Sequence, residues 1–465
     1  MNHGFLLLTA ILALPGCTGQ EPIKTERPAA PERWQHAPLT QVQISPNWWQ
    51  QFASSELDQL VEQALLNNYD LSAAVARVQQ AQANARIAGA PLLPKLDGNI
   101  GASRNGRFDD SSELEGGRYF TGLAASYEVD LWGRLRAEDD SALASLRASQ
   151  YDRAALQITL SASVVSSWLQ QVGLQQRLRI AQLNLSNAER VLAIVESRQL
   201  AGAATNLELA QQRGIVAQQQ RSLASIRQQS DDSKATLAVL LGLTNSNQLV
   251  LTEQQLERLQ LPDIDAGIPS QLLLQRPDLA RAEAQLAAAE ANVNAARAAL
   301  LPRLNLSAAV DSNVGHASDL LSNPIYSLSA ALLAPIFDGG RLNAEHDLAK
   351  ALRSELLANY QASIVSAFAD VQLALNALAG IDAQLQAQVQ VEQQAILALR
   401  LSEERYRAGA ETLLTLLDTQ RTLYTAQDDT ALLQLARLQA GAALNRAMGG
   451  GWQTEDQQLS ALEAH

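Results

Sequence analysis

The chain lacks most of what a compact enzyme is built from. Its single cysteine, Cys17, has no partner for an intramolecular disulfide. Aromatic residues make up only 4% of the chain, too few for a bulky globular core. The abundance of Ala, Leu and Gln instead suits long, closely packed helices. A formal charge of −13 leaves no basic surplus to neutralise phosphates, which excludes nucleic acid as the main partner. His3, His36, His316, His346 and His465 are scattered, with no pair at metal-ligand spacing. There is no Gly-x-Ser-x-Gly and no phosphate-binding loop, so neither an enzyme nor a cofactor is expected. Beyond the first residues no uninterrupted apolar run approaches the length of a membrane-spanning helix, and none is expected.

Cys17 gains meaning from its position. Phe5 to Leu14 is an apolar run of about ten residues, too short to span a bilayer. It ends in Leu14-Pro15-Gly16-Cys17, after which the chain turns polar and Pro-rich. This is the pattern of a bacterial lipoprotein signal, in which the cysteine is diacylated and becomes the first mature residue. Residues 1–16 are therefore read as signal peptide and 17–50 as a lipidated linker.

The chain also repeats itself. Leu92-Leu93-Pro94-Lys95-Leu96 returns as Leu300-Leu301-Pro302-Arg303-Leu304, the prolines 208 residues apart. Leu131-Trp132-Gly133-Arg134-Leu135 is echoed by Asp338-Gly339-Gly340-Arg341-Leu342, and Ala201-Gly202-Ala203 by Ala408-Gly409-Ala410, each at an offset of 207. A period this long is no solenoid unit; it implies two equivalent halves, 51–242 and 269–450, joined by 243–268 and followed by a tail over 451–465.

Each half carries one plan. A helix is predicted from about Ser55, as N-cap with Asp58 three residues on, to Ala90, where Pro91 and Pro94 stop it. The apolar period then falls from 3.6 to 2 over strands at about 95–104 and 119–131. Thr121, Leu123, Ala125, Tyr127 and Val129 share one face; Gly122, Ser126 and Glu128 share the other. From Arg134 to Leu200 there is no proline, so about 67 residues of helix, roughly 100 Å, run to a tip near Gly202. A return helix follows to Leu241. The second half gives a helix over 269–300, strands at about 303–311 and 326–337, a helix to Ala408, a tip near Gly409 and a return helix to Gly449.

Four dyad-patterned strands cannot close a barrel, and an open edge is forbidden in lipid. Oligomerisation is therefore required. A dimer would supply eight strands, whose interior fills with side chains; a trimer would supply twelve and could stay open, helped by small inward residues such as Gly98, Gly122 and Ser307. The alternative is a lipid-anchored coiled-coil structural or adhesive protein of the envelope, without a pore. The paired hairpins speak against it, since a rod needs no such strands.

The duplicated helix–strand–strand–helix plan, the Leu-Pro before each hairpin, Asp130-Leu131-Trp132-Gly133-Arg134, and Arg405-Tyr406-Arg407-Ala408-Gly409 followed by Leu416-Leu417-Asp418 together resemble the outer-membrane efflux proteins of the TolC class. The likeness is to the lipoprotein branch that serves tripartite RND-type multidrug pumps. It implies a mainly α homotrimer with a twelve-stranded outer-membrane barrel and a long periplasmic helical tunnel. It also implies a passive gated duct, opened when a periplasmic adaptor and an inner-membrane pump dock at its tip. It places Leu414 and Asp418 on constriction rings, on one face of the last helix, with Arg421 within pairing reach of Asp418. Glu208 and Tyr406 would form a latch between the repeats, and Glu411 stands where some members carry a second latch arginine. Gly202 and Gly409 would form the tip turns that meet the adaptor.

Overall fold

The computed structural model describes residues 27–35, 45–104, 117–253, 255–262 and 268–453. Cys17 lies outside them. The first half begins with α1 (Ser55–Asn67) and α2 (Tyr69–Gly89), then β1 (Lys95–Ser103) and β2 (Arg118–Val129), then α3 (Arg134–Leu200) and α4 (Asn206–Leu240). The second half has α5 (Leu272–Gln275), α6 (Pro277–Ala298), β3 (Arg303–Val314), β4 (Ile325–Leu333), α7 (Arg341–Arg407) and α8 (Leu413–Ala447). The duplication is exact in the long helices: α3 and α7 have 67 residues each, α4 and α8 have 35 each.

Both predicted entry helices are broken, for different reasons. The first is capped by Ser54 rather than Ser55, its side chain accepting from the Leu57 amide at 3.3 Å. Asn68 then interrupts it in an extended conformation. The Asn68 Oδ1 accepts from the Leu71 amide at 3.0 Å and its Nδ2 donates to the Leu240 carbonyl at 3.1 Å. One side chain thus starts α2 and ties it to the end of α4. In the second half the break falls at Arg276, held extended before Pro277, as a residue preceding proline prefers. The second strand of the second hairpin ends at Leu333, short of the expected 337.

The four strands form one antiparallel sheet in the order β1-β2-β3-β4. Its register sorts the side chains as a barrel wall requires. Leu96, Ala125, Ala308 and Leu328 align across one face; Lys95, Ser126, Ser307 and Ser329 align across the other. On that polar face the Ser307 and Ser329 hydroxyls lie 2.6 Å apart. Gly122 and Ser307 face the expected side, but Gly98 does not: it stands opposite Leu123 on the apolar face. Among the described residues both outer strands, β1 and β4, keep an unpaired edge.

Each strand exit into a long helix is built the same way. Asp130 accepts from the Leu135 and Arg136 amides at 3.1 and 3.0 Å, and Asp338 from the Gly340 and Leu342 amides at 3.0 and 2.9 Å. A carboxylate at a helix N-terminus satisfies free amides and meets the positive end of the dipole. Desolvation raises the Asp130 pKa, but the Arg136 and Leu135 amides and the Arg136 side chain outweigh it, and the carboxyl is held below its ordinary value. The Leu342 amide is the main cause of the same downward shift in Asp338. Trp132 ties the first exit to the start of the second hairpin by donating to the Pro302 carbonyl at 2.7 Å.

Below the sheet, α3 packs against α2, α4, α6 and α8, and α7 against α6 and α8. One core gathers Trp48, Phe52, Leu57, Trp168 and Leu241. It is stapled by Glu56, which accepts from Trp168 Nε1 at 2.7 Å and from the Thr252 amide and hydroxyl at 2.6 Å each. Although its apolar run is interrupted, α7 carries an 18-residue stretch apolar enough, by length and composition, to cross a bilayer. Its Tyr360, Ile364, Ala367, Phe368 and Val371 instead form a core with Trp34, Leu279 and Leu444.

Candidate gate at the helical tips

The tips are set by two matched turns. Gly202 and Gly409 have φ of 74° and 73°, a left-handed region open to glycine without strain. The Ala203 amide donates to the Arg198 carbonyl and the Ala410 amide to the Arg405 carbonyl, both at 2.8 Å, closing each helix in a Schellman motif. The return helices start on threonine caps. The Thr205 hydroxyl accepts from the Glu208 amide at 3.2 Å, and the Thr412 hydroxyl from the Thr415 amide at 3.3 Å.

The caps explain why the expected Glu208–Tyr406 hydrogen bond is not made. Glu208 completes a capping box: its Oε2 accepts from the Thr205 amide at 2.6 Å and the Thr205 hydroxyl at 3.1 Å. Tyr406 is buried, and its hydroxyl has no hydrogen-bond partner among the described residues. Burial, and then the Glu208 charge nearby, push that hydroxyl's pKa up against the opposing pull of Arg198. Glu411 stays local as well, with Arg405 at 3.4 Å and the Thr412 amide at 3.1 Å.

Leu414 and Asp418 lie exposed on one face of α8, with Leu413, Leu416 and Gln420 buried on the other. Arg421 Nη2 donates to Asp418 Oδ1 at 2.6 Å within the same helix. Any acidic ring formed by Asp418 therefore has a basic partner one turn away.

Several tip residues escaped the sequence reading. Arg198 donates to the Tyr406 carbonyl, and its guanidinium lies 4.5 Å over the Tyr406 ring. Arg190 donates to Glu403 at 3.2 Å, and Arg407 to the same carboxylate at 2.8 Å. Gln420 is fully buried and, among the described residues, neither its amide atoms nor the buried Tyr424 hydroxyl finds a hydrogen-bond partner. Burial raises the Tyr424 pKa to about 12. One signal was available: Arg198 and Arg405 occupy the same place in the two repeats, as do Glu196 and Glu403. Their partners differ, and the repeat offset alone does not reveal that.

A sheet open at both edges, carrying two pairs of long helices that end in matched turns, defines an oligomeric channel that links a membrane to a distant surface. The outer membrane efflux protein family model matches residues 60–243 and 268–450, and the chain belongs to that family. It is 50% identical over 460 residues to the pyoverdine export outer membrane protein OpmQ of Pseudomonas putida, covering 97% of each chain. It is 30% identical over 461 residues to the probable outer membrane lipoprotein SilC of Salmonella typhimurium, covering 96% of this chain and 98% of SilC. The structure of the outer-membrane channel OprN superposes with a TM-score of 0.86 at 28% identity, covering 94% of this chain and all of that one. The protein is an outer-membrane channel of a tripartite export system. Three copies close the twelve-stranded barrel, with each open edge meeting the next subunit.

Proposed function

We propose that this channel is the exit duct for a siderophore of the pyoverdine type. The observation that carries the reading is the half identity, end to end, with a protein named for pyoverdine export. A passive duct takes its specificity from the pump that feeds it. Cargo therefore enters from an inner-membrane pump through a periplasmic adaptor that seats on the turns at Gly202 and Gly409. Leu414 and Asp418, the latter with Arg421, narrow the bore just inside those turns. Lipid on Cys17 holds the mature chain to the outer membrane. The chain has no catalytic role of its own. The test is complementation of a Pseudomonas strain that lacks its pyoverdine-export outer-membrane protein. Restored pyoverdine in the medium is expected. Pyoverdine retained in the cells despite normal trimer levels in the outer membrane would refute the cargo.

A further inference from the structure

We propose that a cavity on the Asp418 side of α8 is a binding site for solute in transit, and that it takes a small peptide-like zwitterion. This deepens the reading of the chain as a siderophore duct and rests on that reading's placing of the exposed α8 face in the bore. The cavity holds about 390 Å³, within the range of small-molecule sites. It is lined by α3, α4 and α8, and so lies where the first hairpin meets the second. Its α8 wall includes Arg421, Thr425 and Asp429. These stand three, seven and eleven residues after Asp418, so they continue the stripe that Leu414 and Asp418 begin. A solute that enters at the tips and passes Asp418 meets this cavity next.

Most of the charge in the cavity is already committed. Arg177 on α3 donates to both oxygens of Asp428 on α8, at 2.6 and 3.0 Å, and Arg421 donates to Asp418. Arg221 on α4 and Asp429 on α8 are exposed and, among the described residues, have no partner. A guanidinium on one wall and a carboxylate on another suit a solute that carries an anion and a cation apart. Two further groups lack partners. The side-chain oxygen of Asn184, a residue 4% exposed, and the hydroxyl of Tyr424, 8% exposed, both belong to the lining and have no hydrogen bond among the described residues. A buried polar atom left unpaired is costly. An amide N–H donated to Asn184 and a carbonyl accepting from Tyr424 would satisfy both. Ile180, Ile215 and Ile226 add apolar contact. A metal ion would find one uncommitted carboxylate, and an inorganic anion would leave Asp429 and the isoleucines unused. Separated charges, amide groups and apolar surface together describe a short peptide.

The experiment is equilibrium dialysis of pyoverdine, a peptide siderophore, against the purified full-length trimer. Saturable uptake is expected, weakened several-fold by Arg221→Ala, by Asp429→Ala and by Tyr424→Phe, which keeps the ring and drops the hydroxyl. Arg221 and Asp429 are exposed, so their truncation leaves helix packing intact. Arg213→Ala breaks an exposed pair with Glu196 on the same helix as Arg221 but outside the cavity, and should bind like wild type. No saturable uptake by wild type, or uptake indifferent to all three cavity variants, would overturn the site. If the chain still restored pyoverdine export in the complementation test, the cargo reading would stand without it. Uptake that responds to the variants, with export not restored, would support the site as one for peptide-like zwitterions and remove pyoverdine as the cargo.

Discussion

Asp418 shows how one contact changes the reading of a residue. The sequence offered an acidic ring that would favour cations. The same reading put Arg421 within pairing reach, and in the structure its guanidinium donates to Asp418 at 2.6 Å within the same helix. Three pairs in a narrow bore would present alternating layers of charge, and removal of either member should expose the other. Asp418→Ala should shift the reversal potential in a salt gradient towards anions, and Arg421→Ala towards cations. Identical reversal potentials in both variants would place the pair outside the permeation path. Tyr406 illustrates the opposite case: its neighbour Glu208 was legible, but the carboxylate is already committed to the Thr205 cap.

The long helices depend on how they start. Asp130 and Asp338 stand at the two strand exits, one position out of step with the repeat, and each bonds two backbone amides. The Asp130 pKa is lowered in the folded protein. Its stabilisation is therefore present above the unfolded carboxyl value of about 3.9, and is lost as pH falls through the lower folded value. Wild type should lose more thermal stability between pH 5 and pH 3 than Asp130→Asn, measured by the melting of the trimer. Parallel curves would mean that the cap contributes no pH dependence. The motif at this exit was visible in sequence as a repeated landmark. That its aspartate closes the helix start became clear only from the hydrogen bonds.

For the whole molecule, the barrel wall must keep two solvents apart. Leu123 and Ala124 are neighbours on β2 with opposite faces, Leu123 level with Val310 and Ala124 with Ala309. Leu123→Arg should place a charge in lipid near mid-strand at a cost of about 2–4 kcal/mol and deplete outer-membrane trimers. Ala124→Arg should leave trimer levels intact and reduce conductance. Equal trimer levels in the two variants would contradict the assigned faces.

Periodicity and repetition determined much of this protein in advance. The two equivalent halves, the 67-residue helices, the dyad-patterned strands and the need for more than one chain all follow from residue spacing and from the cost of unpaired backbone in lipid. These are local or pairwise rules, and a sequence displays them directly. The break at Asn68, the outward placement of Gly98 and the crossing of Arg198 to Tyr406 were settled by tertiary structure. The first and the last depend on which atoms arrive nearby from 172 and 208 positions away, as Asn68 meets Leu240 and Arg198 meets Tyr406. A polar side chain has several partners of similar energy within reach, and only the packed chain chooses among them.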